Sequence, residues 1–293
     1  MIRLVEVGPR DGLQNEKKVL SVAAKVSFID ALSKTGLKEI EAGAFVSPKA
    51  IPQMAGSEEV FRQINRAKGV VYSALVPNET GFDRALACKA DKIAVFTAAS
   101  ETFNKKNINA SISESLERFR PVVRRAKASM LPVRGYVSTA FHCPYEGPIE
   151  PRKVLPVLLE LLELGVDELS IGDTIGKAAP REVRRLLDTV LKKIPKALIF
   201  LHFHDTYGMA VANALTAYED YGITGFDASA GGLGGCPYAP GASGNVATED
   251  LLYALQASGA TLPADPRAVA HAAQTLRRHI DRPLASRLSS FAS

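Results

Sequence analysis

Residues 165–204 read GVDELSIGDTIGKAAPREVRRLLDTVLKKIPKALIFLHFH and contain two short apolar runs separated by a longer amphipathic one. The runs Glu168–Ile171 and Leu198–Phe203 predict strands, and Arg181–Lys193 has the spacing of a helix. Gly165 stands just before the first strand, where the left-handed cap of a preceding helix is expected. The segment is therefore a strand, a helix and a second strand, which is the building block of α/β folds.

The same unit recurs over most of the chain. Strands are predicted at Arg3–Val7, Lys38–Ala42, Val70–Leu75, Lys92–Phe96, Val133–Val137, Glu168–Ile171, Leu198–Phe203 and Phe226–Ser229. Other predicted helices include Val22–Ser33, Pro151–Leu164 and Met209–Tyr221, and cap glycines stand before strands at Gly36, Gly69 and Gly222. Eight alternations without a linker favour a single closed α/β barrel, a TIM (β/α)8 barrel, over a doubly wound sheet.

The predicted domain organisation is a single catalytic domain over residues 1–293. Barrels of this kind commonly reach about 250 residues as one domain. The barrel is predicted to cover about residues 1–259, and residues 260–293, which include a helical pattern from Asp265 to Leu288, are predicted to form extra C-terminal helices.

The composition excludes a membrane-spanning protein and gives little support to nucleic acid binding. Hydrophobic residues make up 46% of the chain, charged residues 23%, and the formal net charge is +5. The apolar run Val154–Leu164 is broken by Glu160 and Glu163, far short of the roughly 18 uncharged residues that a span needs. Three cysteines without paired spacing, and a start without a leader pattern, predict a cytoplasmic protein.

The chemically distinctive residues follow the predicted strands. The segment Arg10–Gly12 follows the first strand, Glu41 ends the second, and Asp173 follows the sixth. His202 and His204 end the seventh strand. Because such a barrel builds its active site from the carboxyl ends of its strands, these side chains are predicted to converge at one mouth.

The pair His202 and His204 predicts a metal site. The two residues are two apart on a strand, so their side chains project to one face. Asp11 would add a carboxylate, although Asp-Gly alone is typical of a turn. Asn245 precedes a predicted helix and is either its N-cap or a ligand through its amide oxygen. Such a mixed set of nitrogen and oxygen atoms suits Mg²⁺, Mn²⁺ or Co²⁺, and Zn²⁺ less well.

A glycine-rich segment, Gly231–Asn245, follows the eighth strand. It holds six glycines and two prolines, and its titratable side chains are Cys236 and Tyr238. A surface connector needs no cysteine beside a proline, and exposed free thiols are generally avoided. The segment is interpreted either as a mobile lid with a reactive thiol or as a loop whose backbone N–H groups bind phosphate.

Several segments of the chain match one known family in order. They are Val5–Glu16, Phe45–Lys49, Lys105–Asn109, Cys143–Gly147, Gly172–Gly176, His202–Gly208, Gly234–Ala239 and Gly241–Leu251. Together they resemble the 3-hydroxy-3-methylglutaryl-CoA lyases of bacterial type. The similarity runs from Ile2 to about Gly259, and the glycine-rich segment with its cysteine separates this family from related enzymes.

The resemblance implies a divalent-metal-dependent TIM-barrel lyase that cleaves 3-hydroxy-3-methylglutaryl-CoA to acetyl-CoA and acetoacetate, as in leucine breakdown and ketone-body formation. The implied metal ligands are Asp11, His202, His204 and Asn245. The implied catalytic residues are Cys236, Arg10, Glu41 and Asp173, and the implied substrate contacts are Arg10 and Asn107. The general base stays open among Glu41, Asp173 and a histidine of the metal site.

Three other functions stay open at this point. A lyase for a longer-chain 3-hydroxy-3-alkylglutaryl-CoA would carry the same residues. A condensing enzyme of homocitrate synthase type would carry the histidine pair and the aspartate but lack the cysteine segment. A barrel that had lost catalysis would be expected to have lost some of the site residues. The expected partners are an acyl-CoA substrate and further copies of the chain, a dimer being predicted; no nucleic acid and no membrane partner is expected.

Overall fold

The computed structural model describes residues 1–235 and 244–290 and shows a closed barrel of eight parallel strands. The barrel strands are β1 (Arg3–Glu6), β2 (Glu39–Ala44), β3 (Val71–Leu75), β4 (Lys92–Ala98), β5 (Val133–Ser138), β8 (Glu168–Asp173), β9 (Ile199–Phe203) and β10 (Gly225–Ala228). A hairpin of β6 (His142–Cys143) and β7 (Gly147–Pro148) lies outside the barrel. The barrel closes because β1 pairs in parallel with both β2 and β10.

The helices surround this barrel. They are α1 (Val22–Leu32), α2 (Ser57–Gln63), α3 (Glu79–Ala87), α4 (Glu101–Ile108), α5 (Ile112–Ala128), α6 (Pro151–Leu164), α7 (Pro180–Val190), α8 (Ala210–Tyr221), α9 (Thr248–Ala257) and α10 (Pro266–Gln274). In α7 the buried residues Val183, Leu186, Leu187 and Val190 have helical spacing, so one face packs inward. Neighbouring helices also pack side by side, as α7 does with α6 and α8. Among the described helices, none combines the length and the apolar character needed to cross a bilayer.

The predicted fold class is confirmed, and each predicted strand occurs with ends within two residues of the prediction. Gly165 and Gly222 cap α6 and α8 as predicted. The prediction is wrong for Gly36 and Gly69: α1 is capped at Ser33 and α2 at Ile64, and the two glycines take their positive φ in the turns that follow. The hairpin of β6 and β7 was not predicted, since two-residue strands leave no periodicity to detect. In the predicted C-terminal extension the structure places the helix α10 and a short 3₁₀ turn at Leu288–Ser290.

The amino-terminal half of the barrel interior is charged, whereas branched apolar layers are usual in this architecture. Lys92 Nζ lies 2.7 Å from a Glu39 oxygen and 2.8 Å from a Glu168 oxygen. Arg134 donates to Glu168 at 2.6 Å and also pairs with Asp227. The strands of Arg134 and Asp227 are not neighbours in the sheet, so these side chains meet inside the barrel. We call these five residues the charged floor.

Candidate active site

Arg10 and Asp11 lie in a single π-helical turn, Gly8–Gly12, that follows β1. The Arg10 guanidinium donates to Glu41 through Nε at 2.6 Å and to Asp11 through Nη1 at 2.8 Å. Burial opposes the charge of Arg10, but Glu41 and Asp11 raise its pKa above the ordinary value. Burial alone would also raise the pKa of Asp11, but Arg10 and the site histidines hold it well below its usual range. Both groups therefore stay ionised.

His202 and His204 project beside Asp11 at the barrel mouth. Their Nε2 atoms lie 3.8 and 3.9 Å from the same Asp11 oxygen, Oδ2. One ligand atom from each of the three residues lies within 4.8 Å of the other two. The structure thus brings together three of the four ligands expected from the sequence, in an arrangement that can hold a metal ion.

Asn245 lies against this cluster. Its Nδ2 donates to Asp11 Oδ2 at 2.9 Å and to the Leu233 carbonyl at 3.1 Å. Its Oδ1 is buried and has no hydrogen-bond partner among the described residues. The N-cap residue of α9 is Ala247, so the alternative that Asn245 caps the following helix is wrong. The amide instead belongs to the surroundings of Asp11.

Glu41 and Tyr136 both contact Arg10 and also contact each other. Glu41 Oε2 accepts hydrogen bonds from Arg10 and from the Tyr136 hydroxyl, the latter at 3.2 Å. Burial raises the pKa of Glu41, against the opposing charge of Arg10. The Tyr136 ring lies 5.3 Å from the Arg10 guanidinium carbon and meets the His202 ring edge-on. Tyr136 was missed in the sequence, although its place two residues after Arg134 on one strand puts both on the interior face.

Asp173 ends β8, but its carboxylate binds the following loop. It accepts the backbone N–H groups of Lys177 at 3.1 Å and Ala178 at 2.9 Å. Burial raises its pKa, opposed by these bonds and by His204. The His204 N–H also lies 3.4 Å from the Asp173 carbonyl. Asp173 therefore supports the loop next to His204.

A cavity of about 170 Å³ opens in front of the cluster. Its polar side includes Arg10, Asp11, His202 and His204, and Asn107 reaches it from α4. Neither Glu41 nor Asp173 is among the described residues that line it. Its apolar lining includes Val46, Ile51, Leu75, Phe96 and Phe103, which we call the apolar wall. The cavity thus offers both charged and apolar contacts to a ligand.

The cysteines separate into two groups. Cys236, the expected catalytic thiol, lies outside the described residues. Cys143 is buried, with its Sγ 3.1 Å from the Ser100 hydroxyl, and Cys88 is half-buried. Neither of these two lines the cavity, as is expected of structural thiols.

Glu6, which the sequence did not single out, joins the segments that follow two neighbouring strands, β1 and β10. Its Oε1 accepts the N–H groups of Gly8 at 2.7 Å and Ala230 at 2.9 Å, and its Oε2 lies 2.6 Å from the Thr248 hydroxyl. Burial raises its pKa to about 7, against the lowering effect of these hydrogen bonds. The folded protein therefore binds a proton at Glu6 more readily than the unfolded chain does.

We expect the Glu6 contribution to the free energy of unfolding to fall as the pH rises from 4.5, the ordinary value, to about 7. In that window the unfolded chain has already lost the proton that the folded state still holds. Such a shift corresponds to about 3 kcal/mol at its full extent. Glu6→Gln imitates the protonated carboxyl, because its amide can donate to Thr248. It should remove this part of the pH dependence of the free energy of unfolding. Urea unfolding of the wild type and of Glu6→Gln between about pH 5 and pH 8 measures this dependence. An equal pH dependence in the two proteins would contradict the prediction.

Comparisons with known proteins identify the family. The family model described as HMGL-like matches residues 1–276. The hydroxymethylglutaryl-CoA lyase of Pseudomonas mevalonii is 54% identical over 269 residues, which are 92% of this chain and 89% of that protein. A Pseudomonas aeruginosa protein named 3-hydroxy-3-isohexenylglutaryl-CoA/hydroxy-methylglutaryl-CoA lyase is 50% identical over 275 residues, 94% of this chain and 91% of that protein.

A solved structure extends the likeness to three dimensions. The HMG-CoA lyase from Acinetobacter baumannii, in complex with coenzyme A and 3-methylmalate, superposes with a TM-score of 0.94 at 39% identity, covering 99% of this chain and 94% of that one. The resemblance drawn from the sequence motifs is thereby confirmed. With the barrel, the residues at its mouth and these relatives in agreement, the chain belongs to the HMGL-like family.

Proposed function

We propose that the protein is a lyase that cleaves 3-hydroxy-3-methylglutaryl-CoA into acetyl-CoA and acetoacetate. The observation that carries the proposal is the meeting of Arg10 with Asp11, His202 and His204 at one cavity, in a chain whose relatives are named for this substrate. In the reaction a general base takes the proton of the C3 hydroxyl, and the C2–C3 bond breaks. The thioester half leaves as an enolate, which then takes a proton on carbon.

A divalent cation fits the cluster at the mouth. The donors are one carboxylate and two imidazoles within 4.8 Å of one another, and Asn245 adds a buried amide oxygen without a partner among the described residues. We assign Asp11, His202, His204 and Asn245 as ligands, with Mg²⁺ or Mn²⁺ as first candidates and Co²⁺ or Zn²⁺ next. When bound, such a cation acidifies a hydroxyl group and orients the substrate oxygens.

Arg10 faces the negative charge that develops on the thioester oxygen. Glu41 and Asp11 hold its Nε and Nη1 groups in place before any substrate binds. A preorganised cation of this kind stabilises an enolate in a site that excludes water. In this proposal Glu41 acts through Arg10, and Asp173 acts through the loop beside His204. Asn107 contacts the substrate from the side of α4.

Cys236 is proposed as the general acid that protonates the enolate carbon. Cys236→Ala should lower kcat about 10²-fold, near the lower limit for a general acid, because water can take over part of the transfer. KM should change little, since the cavity residues are intact. Cys143→Ala is the matched control, because it removes a buried thiol away from the cavity and should keep the wild-type kcat. Steady-state kinetics in a thiol reductant measures both, and an unchanged kcat in Cys236→Ala would remove this thiol from the mechanism.

The proposed function is tested by acetoacetate release from 3-hydroxy-3-methylglutaryl-CoA with Mg²⁺ and a thiol reductant, beside the analogue with an isohexenyl group at C3. We expect release from the methyl substrate. Release from both would extend the substrate class to longer alkyl groups, as the name of the P. aeruginosa relative describes for that protein. Failure on both substrates, with Mn²⁺ and Co²⁺ also supplied, would overturn the proposal in favour of a condensing or non-catalytic barrel.

Three further assignments accompany this proposal. The chain is proposed to act as one catalytic domain with an acyl-CoA substrate. It is proposed to form a homo-oligomer, with a dimer as the first expectation, which sedimentation of the purified protein tests. A cytoplasmic location is proposed because its three cysteines lack the paired spacing of a disulfide framework.

A further inference from the structure

Asp227 lies inside the barrel directly beside His202. The two residues are paired in register on the neighbouring strands β10 and β9. Asp227 Oδ2 lies 3.2 Å from His202 Nδ1, and the Asp227 side chain is fully buried. On the other edge of the same ring, Nε2 faces Asp11 Oδ2 at 3.8 Å. The imidazole is thus held between two carboxylates on opposite edges.

The two contacts have different chemical consequences. A neutral imidazole carries one proton, and the nitrogen that lacks it is the one that can bind a metal. A carboxylate beside Nδ1 keeps the proton there, which leaves the lone pair on Nε2. For His202 this is the nitrogen that faces Asp11 and the cavity.

Asp227 is itself fixed from other strands. The Ser170 hydroxyl, on β8, donates to Oδ2 at 2.6 Å, and the Arg134 guanidinium, on β5, pairs with Oδ1. The oxygen that meets His202 therefore cannot turn away without losing a second hydrogen bond. Arg134 also neutralises the buried charge, which lets an ionised carboxylate persist inside the barrel.

We propose that Asp227 is a positioning residue that fixes the tautomer and the ring orientation of His202, so that Nε2 is presented to the cation site. The inference rests on the proposed role of His202 as a metal ligand. The hydrogen bond between Asp227 and His202 links the charged floor to the metal site. His204 has no such support, since its Nδ1 is buried and unpartnered among the described residues. Asp227 therefore acts on one of the two histidines only.

The first test needs neither a metal nor a substrate. Long-range ¹H–¹⁵N spectra of metal-free, ¹⁵N-labelled protein, recorded at alkaline pH where imidazoles are neutral, report which ring nitrogen carries the proton. The His202 signals are assigned by their loss in His202→Gln. We expect the proton on Nδ1 in the wild type. A proton on Nε2 would overturn the inference without any variant of Asp227 being needed.

The second test measures Mn²⁺ affinity by calorimetry. Asp227→Asn keeps the size of the side chain and removes its charge, and it should weaken Mn²⁺ binding about 10- to 100-fold, as the loss of an outer partner of a metal-bound histidine does. Glu168→Gln is the matched control, because it removes the other carboxylate partner of Arg134 without touching His202. Its Mn²⁺ affinity should stay within about threefold of the wild type.

A second variant keeps the test decisive if Asp227→Asn fails to fold, since that substitution leaves Arg134 with one carboxylate partner fewer. Ser170→Ala keeps every charge and removes only the hydroxyl that holds Oδ2, and it should weaken Mn²⁺ binding by a few-fold. Unchanged affinity in both Asp227→Asn and Ser170→Ala would overturn the inference, as would an equal loss in Glu168→Gln. A wild-type protein that binds no Mn²⁺ would contradict the proposed function instead, and the tautomer of His202 would still decide the role of Asp227.

Discussion

Removal of divalent cations with EDTA should reduce acetoacetate release from 3-hydroxy-3-methylglutaryl-CoA to the background rate, and added Mg²⁺ or Mn²⁺ should restore it. The reason is the convergence of Asp11, His202 and His204 within 4.8 Å at the cavity. Without a cation, none of the described residues that line the cavity can acidify the C3 hydroxyl to a comparable extent. Full activity in the chelator would end the metal assignment.

A pair of histidine variants separates loss of the cation from general damage to the protein. His204→Gln removes one proposed ligand and should abolish both Mn²⁺ binding and turnover. His142→Gln is the control: His142 is also buried, but its Nε2 lies 2.7 Å from Glu182 and it does not belong to the metal cluster. Glutamine can keep that hydrogen bond, so His142→Gln should retain activity. Equal losses in the two variants would point to folding rather than to metal binding.

Replacement of Arg10 by glutamine should lower kcat at least 10³-fold. Loss of a single preorganised donor to an oxyanion costs about 10²–10³ in rate. Here the substitution also leaves Glu41 and Asp11 without their shared counter-ion, because both accept hydrogen bonds from the same guanidinium. The site would then carry less positive charge where the enolate develops. Steady-state kinetics over a range of substrate concentrations separates the effect on kcat from the effect on KM.

Two controls define what Arg10 contributes. Arg10→Lys keeps the charge but cannot reach Glu41, Asp11 and a substrate oxygen with one ammonium group, so we expect an intermediate loss of about 10². Arg3→Gln changes an arginine whose Nη1 donates to the Ala197 carbonyl at 2.7 Å, away from the cavity lining, and should leave kcat within about twofold. If Arg10→Gln raised KM and left kcat unchanged, Arg10 would serve binding alone.

The fold could be predicted from the sequence because its signals are local. Each strand is a short apolar run, and each cap glycine stands directly before the next strand, as Gly165 and Gly222 do. The convergence of Asp11, His202 and His204 followed from barrel geometry, since residues at strand ends share one mouth. Their sequence separation did not matter, because closure of the barrel brings β1 and β9 to either side of β10.

The parts of the site that the sequence did not predict depend on side chains that meet across the barrel. Nothing near Asp227 in the sequence indicates that Arg134, 93 positions away, would pair with it, and Tyr136 gains its role through contacts with Glu41, Arg10 and His202. Asp173 is the reverse case, a residue that the sequence singled out but whose partners lie in the following loop. Its position at a strand end predicted a place at the mouth, and the family resemblance implied a catalytic role, but two backbone N–H groups in the next loop engage its carboxylate. Which of several nearby donors a carboxylate meets is decided by packing, and a linear pattern does not contain that information.

The charged floor and the apolar wall impose different rules on how this sequence can diverge. A single substitution in the charged floor leaves a buried charge without its partner, which lowers the free energy of unfolding by about 3–5 kcal/mol. Changes there must therefore occur in compensating pairs. Volume-conserving exchanges in the wall cost under about 1.5 kcal/mol and can accumulate one at a time. The wall can therefore change step by step during evolution while the floor is inherited unchanged. Among relatives with different C3 preferences, we expect the floor to be shared and the wall to vary.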